Sequence, residues 1–296
     1  MERKKASDFD PDLLILFDAY VHGAIDRRGF LEKASRFAVG GVTAAMLLDA
    51  LSPRFAEAQQ VARDDKRLKT EFLPFPSPKG YAITRGYFVR PSAAAGKLPG
   101  VLVVHENRGL NPHIEDVARR LALENFVTFA PDALAPLGGY PGDEDKARQL
   151  FPTLDQAKTR EDFVAAAAFL KSHADCNGRI GVVGFCWGGS TANMLATRLP
   201  DLGAAVPFYG GQPNAEDTAK IKAPLLIHYA ENDERINAGW PAYEAALKAS
   251  SVPYTMYKYP GTQHGFNNDT TPRYDEAAAK LAWQRTVEFL NKQLRG

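Results

Sequence analysis

The chain has 296 residues, 45% hydrophobic and 24% charged, the balance of a globular protein with one sizeable core. Lys plus Arg number 36 against 35 for Asp plus Glu, so the formal charge is +1 and no cationic excess is available to condense on nucleic acid or anionic lipid. With only 2 cysteines, Cys176 and Cys186, a disulfide framework is excluded and the core must hold the fold.

In chain order, the first informative stretch is Asp26-Arg27-Arg28-Gly29-Phe30-Leu31. It precedes a mildly apolar run over 37–51 and then Ala56-Glu57-Ala58, small residues at alternate positions that suit a signal peptidase. The layout resembles a twin-arginine export signal and predicts a leader over 1–58, export to the periplasm through that machinery, and a mature domain over 59–296. The alternative is a pair of amphipathic helices that stay attached in the cytoplasm, supported by the apolar spacing of Leu13, Leu14, Leu16 and Phe17. The apolar run is too short and too interrupted to span a bilayer, which needs about 20 apolar residues.

Beyond the leader, short apolar runs predict strands over 81–89, 100–105, 126–130, 180–185, 204–209, 225–229 and 254–259. Helical patterns fall between them at 114–124, 160–172, 192–198 and 241–249, and a long one closes the chain over 274–294. Nearly continuous apolar strands alternating with helices predict an α/β fold, a doubly wound and mostly parallel sheet with helices on both faces. Reactive side chains in such a fold collect beyond the carboxyl ends of the strands. The strand between Cys176 and Cys186 also holds the two sulfurs out of bridging range.

At one such strand end stands Gly184-Phe185-Cys186-Trp187-Gly188-Gly189-Ser190, followed by a helical pattern. It reads as a nucleophile elbow with cysteine in the usual serine position. The turn forces strained backbone angles on the nucleophile, and the flanking glycines avoid Cβ collisions. The helix that follows aims its positive end at the sulfur and favours the thiolate. Asp233 follows the strand over 225–229, and His264 follows the strand over 254–259. The order nucleophile, acid, base is that of α/β-hydrolases. His264 would take the thiol proton, and Asp233 would hold the imidazole in the productive tautomer. The backbone N–H of Trp187 and Asn107, in the loop His105-Glu106-Asn107-Arg108-Gly109, are the expected oxyanion donors.

The elbow, the His-Glu-Asn-Arg-Gly loop, Ala230-Glu231-Asn232-Asp233 and Tyr259-Pro260-Gly261-Thr262-Gln263-His264-Gly265-Phe266 together resemble the dienelactone hydrolase family, or carboxymethylenebutenolidases, over roughly residues 70–295. The resemblance implies hydrolysis of an ester or lactone through a cysteine acyl-enzyme, with no cofactor and no metal. It also implies that Glu106 pairs with the resting thiol and controls its ionisation. The family's founding enzymes grip a substrate carboxylate with two arginines. Neither Ala133-Leu134-Ala135-Pro136-Leu137-Gly138-Gly139-Tyr140 nor Gly265-Phe266-Asn267-Asn268 contains one, which leaves Arg108, Arg235 and Tyr140 as expected substrate contacts. Competing readings are a broad carboxylesterase or thioesterase on the same residues, a non-catalytic binding protein, and a metal site built from His105, Glu106, Asp233 and His264. The oligomeric state is not legible.

Overall fold

The computed structural model describes residues 4–296. Its first part is helical: α1 (Pro11–Val21), α2 (Arg27–Ala34), α3 (Ala44–Leu51) and the single turn α4 (Phe55–Ala58). Side chains that compete poorly within a helix cap these starts. Asp10 accepts from the Asp12 amide with Pro11 at the first helical position, Asp26 accepts from Gly29, and Thr43 from Met46. The apolar run over 37–51 is not continuous helix, because Gly40 and Gly41 take positive φ and only α3 follows them. Leu13, Leu14, Phe17, Tyr20, Phe30, Leu48 and Leu51 bury one another in a small core of their own. Among the described residues no helix is long and apolar enough to cross a membrane.

The rest of the chain runs β1 (Leu68–Ser77), β2 (Ala82–Pro91), β3 (Leu98–Val104), α5 (Pro112–Leu123), β4 (Val127–Pro131), α6 (Glu144–Leu150), α7 (Gln156–Ser172), β5 (Cys176–Phe185), α8 (Trp187–Arg198), β6 (Ala204–Phe208), α9 (Ala215–Thr218), β7 (Leu225–Asn232), α10 (Glu234–Asn237), α11 (Trp240–Ala249), β8 (Tyr254–Gln263) and α12 (Glu276–Arg295). The strands form one 8-stranded sheet in the order β1-β2-β4-β3-β5-β6-β7-β8. Pairing is parallel from β4 through β8, and β2 joins β1 and β4 antiparallel. The alternation of side chains along each strand feeds two cores. Leu102, Val104 and Val182 pack on one face with Phe163 and Leu170 of α7 and Leu195 of α8. Val101, Val103 and Val183 pack on the other with Ile114 and Leu121 of α5 and Leu290 of α12. This is the mostly parallel α/β sheet with helices on both faces expected from the pattern, in the architecture of an α/β-hydrolase.

Every expected strand is present. One is added: β1, whose Pro74 and Pro76 argue against a strand in the sequence. β1 pairs on one side only, with β2, and an edge strand tolerates residues that cannot donate to a ladder. Cys176 and Cys186 are both free and lie at opposite ends of β5, as expected.

The N-terminal helices rest on the loop ends of this sheet. Asn107 Nδ2 and Arg108 Nη2 donate to the Val21 carbonyl at 3.0 and 2.8 Å, satisfying an orphan acceptor at the carboxyl end of α1. Tyr20 and Arg27 both donate to Asp145, the Arg148 guanidinium lies 4.3 Å from the centre of the Tyr20 ring, and the Arg54 amide donates to Thr270.

Candidate active site

The carboxyl ends of β5, β7 and β8 converge beneath α1. At the end of β5, Cys186 has φ 55 and ψ −113 and opens α8. A non-glycine residue in such a conformation is strained and persists only where its surroundings over-determine it. The surroundings here are backbone in near contact. A Cβ on Gly184 would stand 2.0 Å from the Gly188 carbonyl oxygen, and one on Gly188 would stand 2.3 Å from that of Val104. The glycines are steric requirements of the turn. The sulfur is thereby held at the amino end of α8, where the Trp187 amide, in the first helical turn, has no intrahelical acceptor.

Asp233 ends the β7 segment and His264 follows β8, and their side chains meet: His264 Nδ1 lies 2.5 Å from Asp233 Oδ2, with both residues buried. His264 Nε2 is buried without a hydrogen-bond partner among the described residues. A ring nitrogen of His264, one of His22 and the Cys186 sulfur all lie within 4.8 Å of one another. Burial disfavours the thiolate, but the charges of His264 and His22 outweigh it, and the Cys186 thiol is held below its usual range. Burial likewise works against a charged His264, and the sulfur and Asp233 overcome it, so the imidazole holds its proton well above the usual range. Each charge favours the other, which leans the pair toward thiolate and imidazolium. Cys176 behaves oppositely, its thiol pushed up by burial.

The remaining expected residues are placed as follows. Glu106 is turned to Asn268 Nδ2, which donates to it at 3.0 Å, and among the described residues no hydrogen bond joins it to Cys186. The sulfur instead lies 3.4 Å from His22 Nε2. The Asn107 side-chain amide is occupied by the Val21 carbonyl. Arg108 is buried between that carbonyl and Glu144, whose Oε2 lies 3.7 Å from its Nε. Tyr140 donates to the same carboxylate at 2.8 Å. Arg235 alone of the expected substrate contacts reaches the centre, with Nη2 3.1 Å from His22 Nε2 and 3.4 Å from His264 Nδ1. His105 lies flat against Trp187, with ring nitrogens toward the Glu106 carbonyl and the Ala133 amide, so it does not join Glu106, Asp233 and His264 in a metal cluster. Among the described residues the side chains close enough to share a soft divalent cation are instead His22, Cys186 and His264.

Sequence reasoning missed four residues. His22 and Asp18 lie in the stretch expected to be removed. Arg273 binds Asp18 at 3.1 Å. Tyr209, just past β6, has φ 37, a ring centred 4.9 Å from that of His264 and a buried hydroxyl with no partner among the described residues. No motif marks Tyr209; its only signal is its place at a strand end. A cleft of about 690 Å3 opens beside these groups, lined by Leu14, Ile15, Asp18, Arg235, His264 and Arg273 among others.

The model of the "Dienelactone hydrolase family" matches residues 84–294. The chain belongs to the dienelactone hydrolase family. As a member of that family it is a hydrolase of ester or lactone bonds. A second family model, "YqhI-like", matches residues 1–39. Among relatives of this hydrolase, the "Putative hydrolase fragment YghX" of Escherichia coli is 50% identical over 114 residues, 38% of this chain and 97% of that protein. The "Putative carboxymethylenebutenolidase" of Salmonella typhi is 34% identical over 218 residues, covering 69% of this chain and 80% of that one. The crystal structure of a "Putative Dienelactone Hydrolase" from Klebsiella pneumoniae superposes with a TM-score of 0.66 at 28% identity, over 76% of this chain and 99% of that one.

Proposed function

We propose that this hydrolase works through Cys186, Asp233 and His264, forming a cysteine acyl-enzyme. The observation that carries the reading is the buried contact of His264 with Asp233 at 2.5 Å beside a strained, glycine-flanked cysteine. The thiolate attacks the substrate carbonyl, and the oxyanion faces the Trp187 amide at the head of α8. The imidazolium of His264 gives its proton to the leaving oxygen. The neutral imidazole then takes a proton from the water that cleaves the thioester, and Asp233 keeps the ring oriented throughout.

A neutral ester or lactone is the favoured substrate class. The reason is that Arg108 is held by Glu144 and Val21, and Arg273 by Asp18, so of the three only Arg235, which stands against His22 and His264, can turn to a substrate carboxylate, and a two-arginine grip is missing. A thioester is the alternative on the same residues. Incubation with an activated aryl ester, quenched in acid and digested, is expected to place the acyl mass on the peptide holding Cys186. Turnover with the label elsewhere, or none at all on the sulfur, would remove the mechanism.

We further infer that residues 4–58 are retained as part of the folded enzyme, in preference to cleavage after Ala58. Support comes from their contacts with the hydrolase body at Asn107, Arg108, Asp145 and Thr270. Export by the twin-arginine route, read from Arg27 and Arg28, would then carry the segment along. Intact mass of the protein from periplasmic and cytoplasmic fractions is expected to match the full chain. A product beginning near residue 59 would contradict retention.

A further inference from the structure

The Cys186 sulfur has two imidazoles against it, and only His264 belongs to the region that the hydrolase family model covers, which begins at residue 84. The other, His22, terminates α1. Its Nε2 lies 3.4 Å from Sγ, and its ring meets that of His264 edge to face at 4.8 Å between centres. Its Nδ1 lies 2.9 Å from the Asp18 carbonyl and 3.2 Å from the Asp18 carboxylate, one helical turn back. Arg273 holds that carboxylate from the far side at 3.1 Å.

The arrangement repeats the logic of Asp233 and His264: a carboxylate fixes one ring nitrogen and leaves the other facing the sulfur. An apolar docking face would cover the cleft at less cost, since a histidine and an aspartate buried at an interface must both be desolvated. The side chains here are only 17% and 29% exposed.

We propose that His22 is a second catalytic imidazole, delivered by the N-terminal segment, whose Nε2–H donates to the Cys186 thiolate and raises the fraction of sulfur ready to attack. The proposal rests on Cys186 being the nucleophile, as argued above. An ordinary thiol with pKa about 8.5 is only a few per cent ionised near pH 7, so holding the thiolate gains up to about 30-fold in reactive enzyme. No bond to His22 is made or broken. As the S–C bond forms and the carbonyl electron pair moves to oxygen, the sulfur loses its charge and the hydrogen bond relaxes. The charged groups facing His22 are Asp18 on α1, Cys186 at the elbow, Arg235 on α10, and His264 and Arg273 after β8. Asp18 favours the protonated ring. Arg235, 3.1 Å from Nε2, opposes it, so donation to sulfur and acceptance from Arg235 exclude one another.

The test uses the full chain and reads both kcat/KM on an aryl ester and the pH dependence of iodoacetamide alkylation at Cys186. His22→Ala is expected to lower kcat/KM at pH 7 about 10-fold and to move the alkylation midpoint up by about one pH unit. His22→Gln keeps an N–H near the sulfur and should recover part of both. Asp18→Asn should shift the midpoint in the same direction as alanine, and decides the matter if the alanine variant does not fold. Unchanged or faster turnover with an unchanged midpoint would overturn the proposal, faster turnover marking the segment as an obstruction. That failure is separable from failure of the triad: an inactive Cys186→Ala beside an unaffected His22→Ala removes only the role of His22, whereas a fully active Cys186→Ala removes both.

Discussion

Cys186→Ala is expected to lower kcat on an ester or lactone by at least about 10^3-fold while leaving the thermal midpoint nearly unchanged. Removal of the sulfur abolishes the covalent route, and what remains is the oxyanion donor and binding, which cannot supply a nucleophile. Stability should survive because the strain at φ 55 comes from the backbone and Cβ, both of which alanine retains. Cys186→Ser should restore little. His264 is held strongly basic by the negative sulfur beside it and by Asp233. A serine hydroxyl stays neutral, so the charge that raises His264 would be gone and the proton would have to be taken during attack. Steady-state kinetics with intact-mass analysis of the variants decides this, and an alanine variant of wild-type activity would end the cysteine mechanism.

Gly188→Ala is expected to be among the most damaging single methyl groups in the chain. Its Cβ would stand 2.3 Å from the Val104 carbonyl oxygen and 2.5 Å from that of His105. Both are backbone atoms at the end of β3, in the middle of the sheet, so relief requires β3 to part from α8. The cost is on the order of 4 kcal/mol or more, enough to lower the thermal midpoint by roughly 10 °C in a chain of this size. Gly96→Ala is the control: nothing lies within 4 Å of its added Cβ and it needs no positive φ, so it should remain within about 0.5 kcal/mol of the parent. Differential scanning calorimetry on the pair measures the contrast. Equal midpoints would show that the elbow has more room than the distances allow.

The sheet was legible because its strands are buried on both faces and therefore read as apolar runs, as at Val101, Leu102, Val103 and Val104. β1 was not, because an exposed edge strand with two prolines carries neither the apolar run nor the alternation. The elbow was legible for a different reason. Its glycines answer a local steric demand that any chain making this turn must meet. Asp233 and His264 stand out in the sequence by their order and their places at strand ends, a topological regularity of the fold, and their side chains meet in the structure.

Glu106 and the side chain of Asn107 show where such reasoning stops. Both stand in a recognisable loop, yet Asn268 takes the glutamate and the Val21 carbonyl takes the asparagine amide. Each partner comes from a distant part of the chain. Arg108 was expected at the substrate and is instead folded against Val21 and Glu144.

By itself the sequence determined the alternation of strands and helices, the glycine-flanked cysteine and the aspartate and histidine that follow it at later strand ends, because these depend on local sterics and on the burial of each strand. Only the tertiary structure decided that α1 lies across the carboxyl ends of those strands and brings His22, backed by Asp18, to the sulfur. That placement depends on contacts between residues more than a hundred positions apart, such as Arg27 with Asp145 and Asp18 with Arg273, and no local periodicity encodes a pairing of that kind.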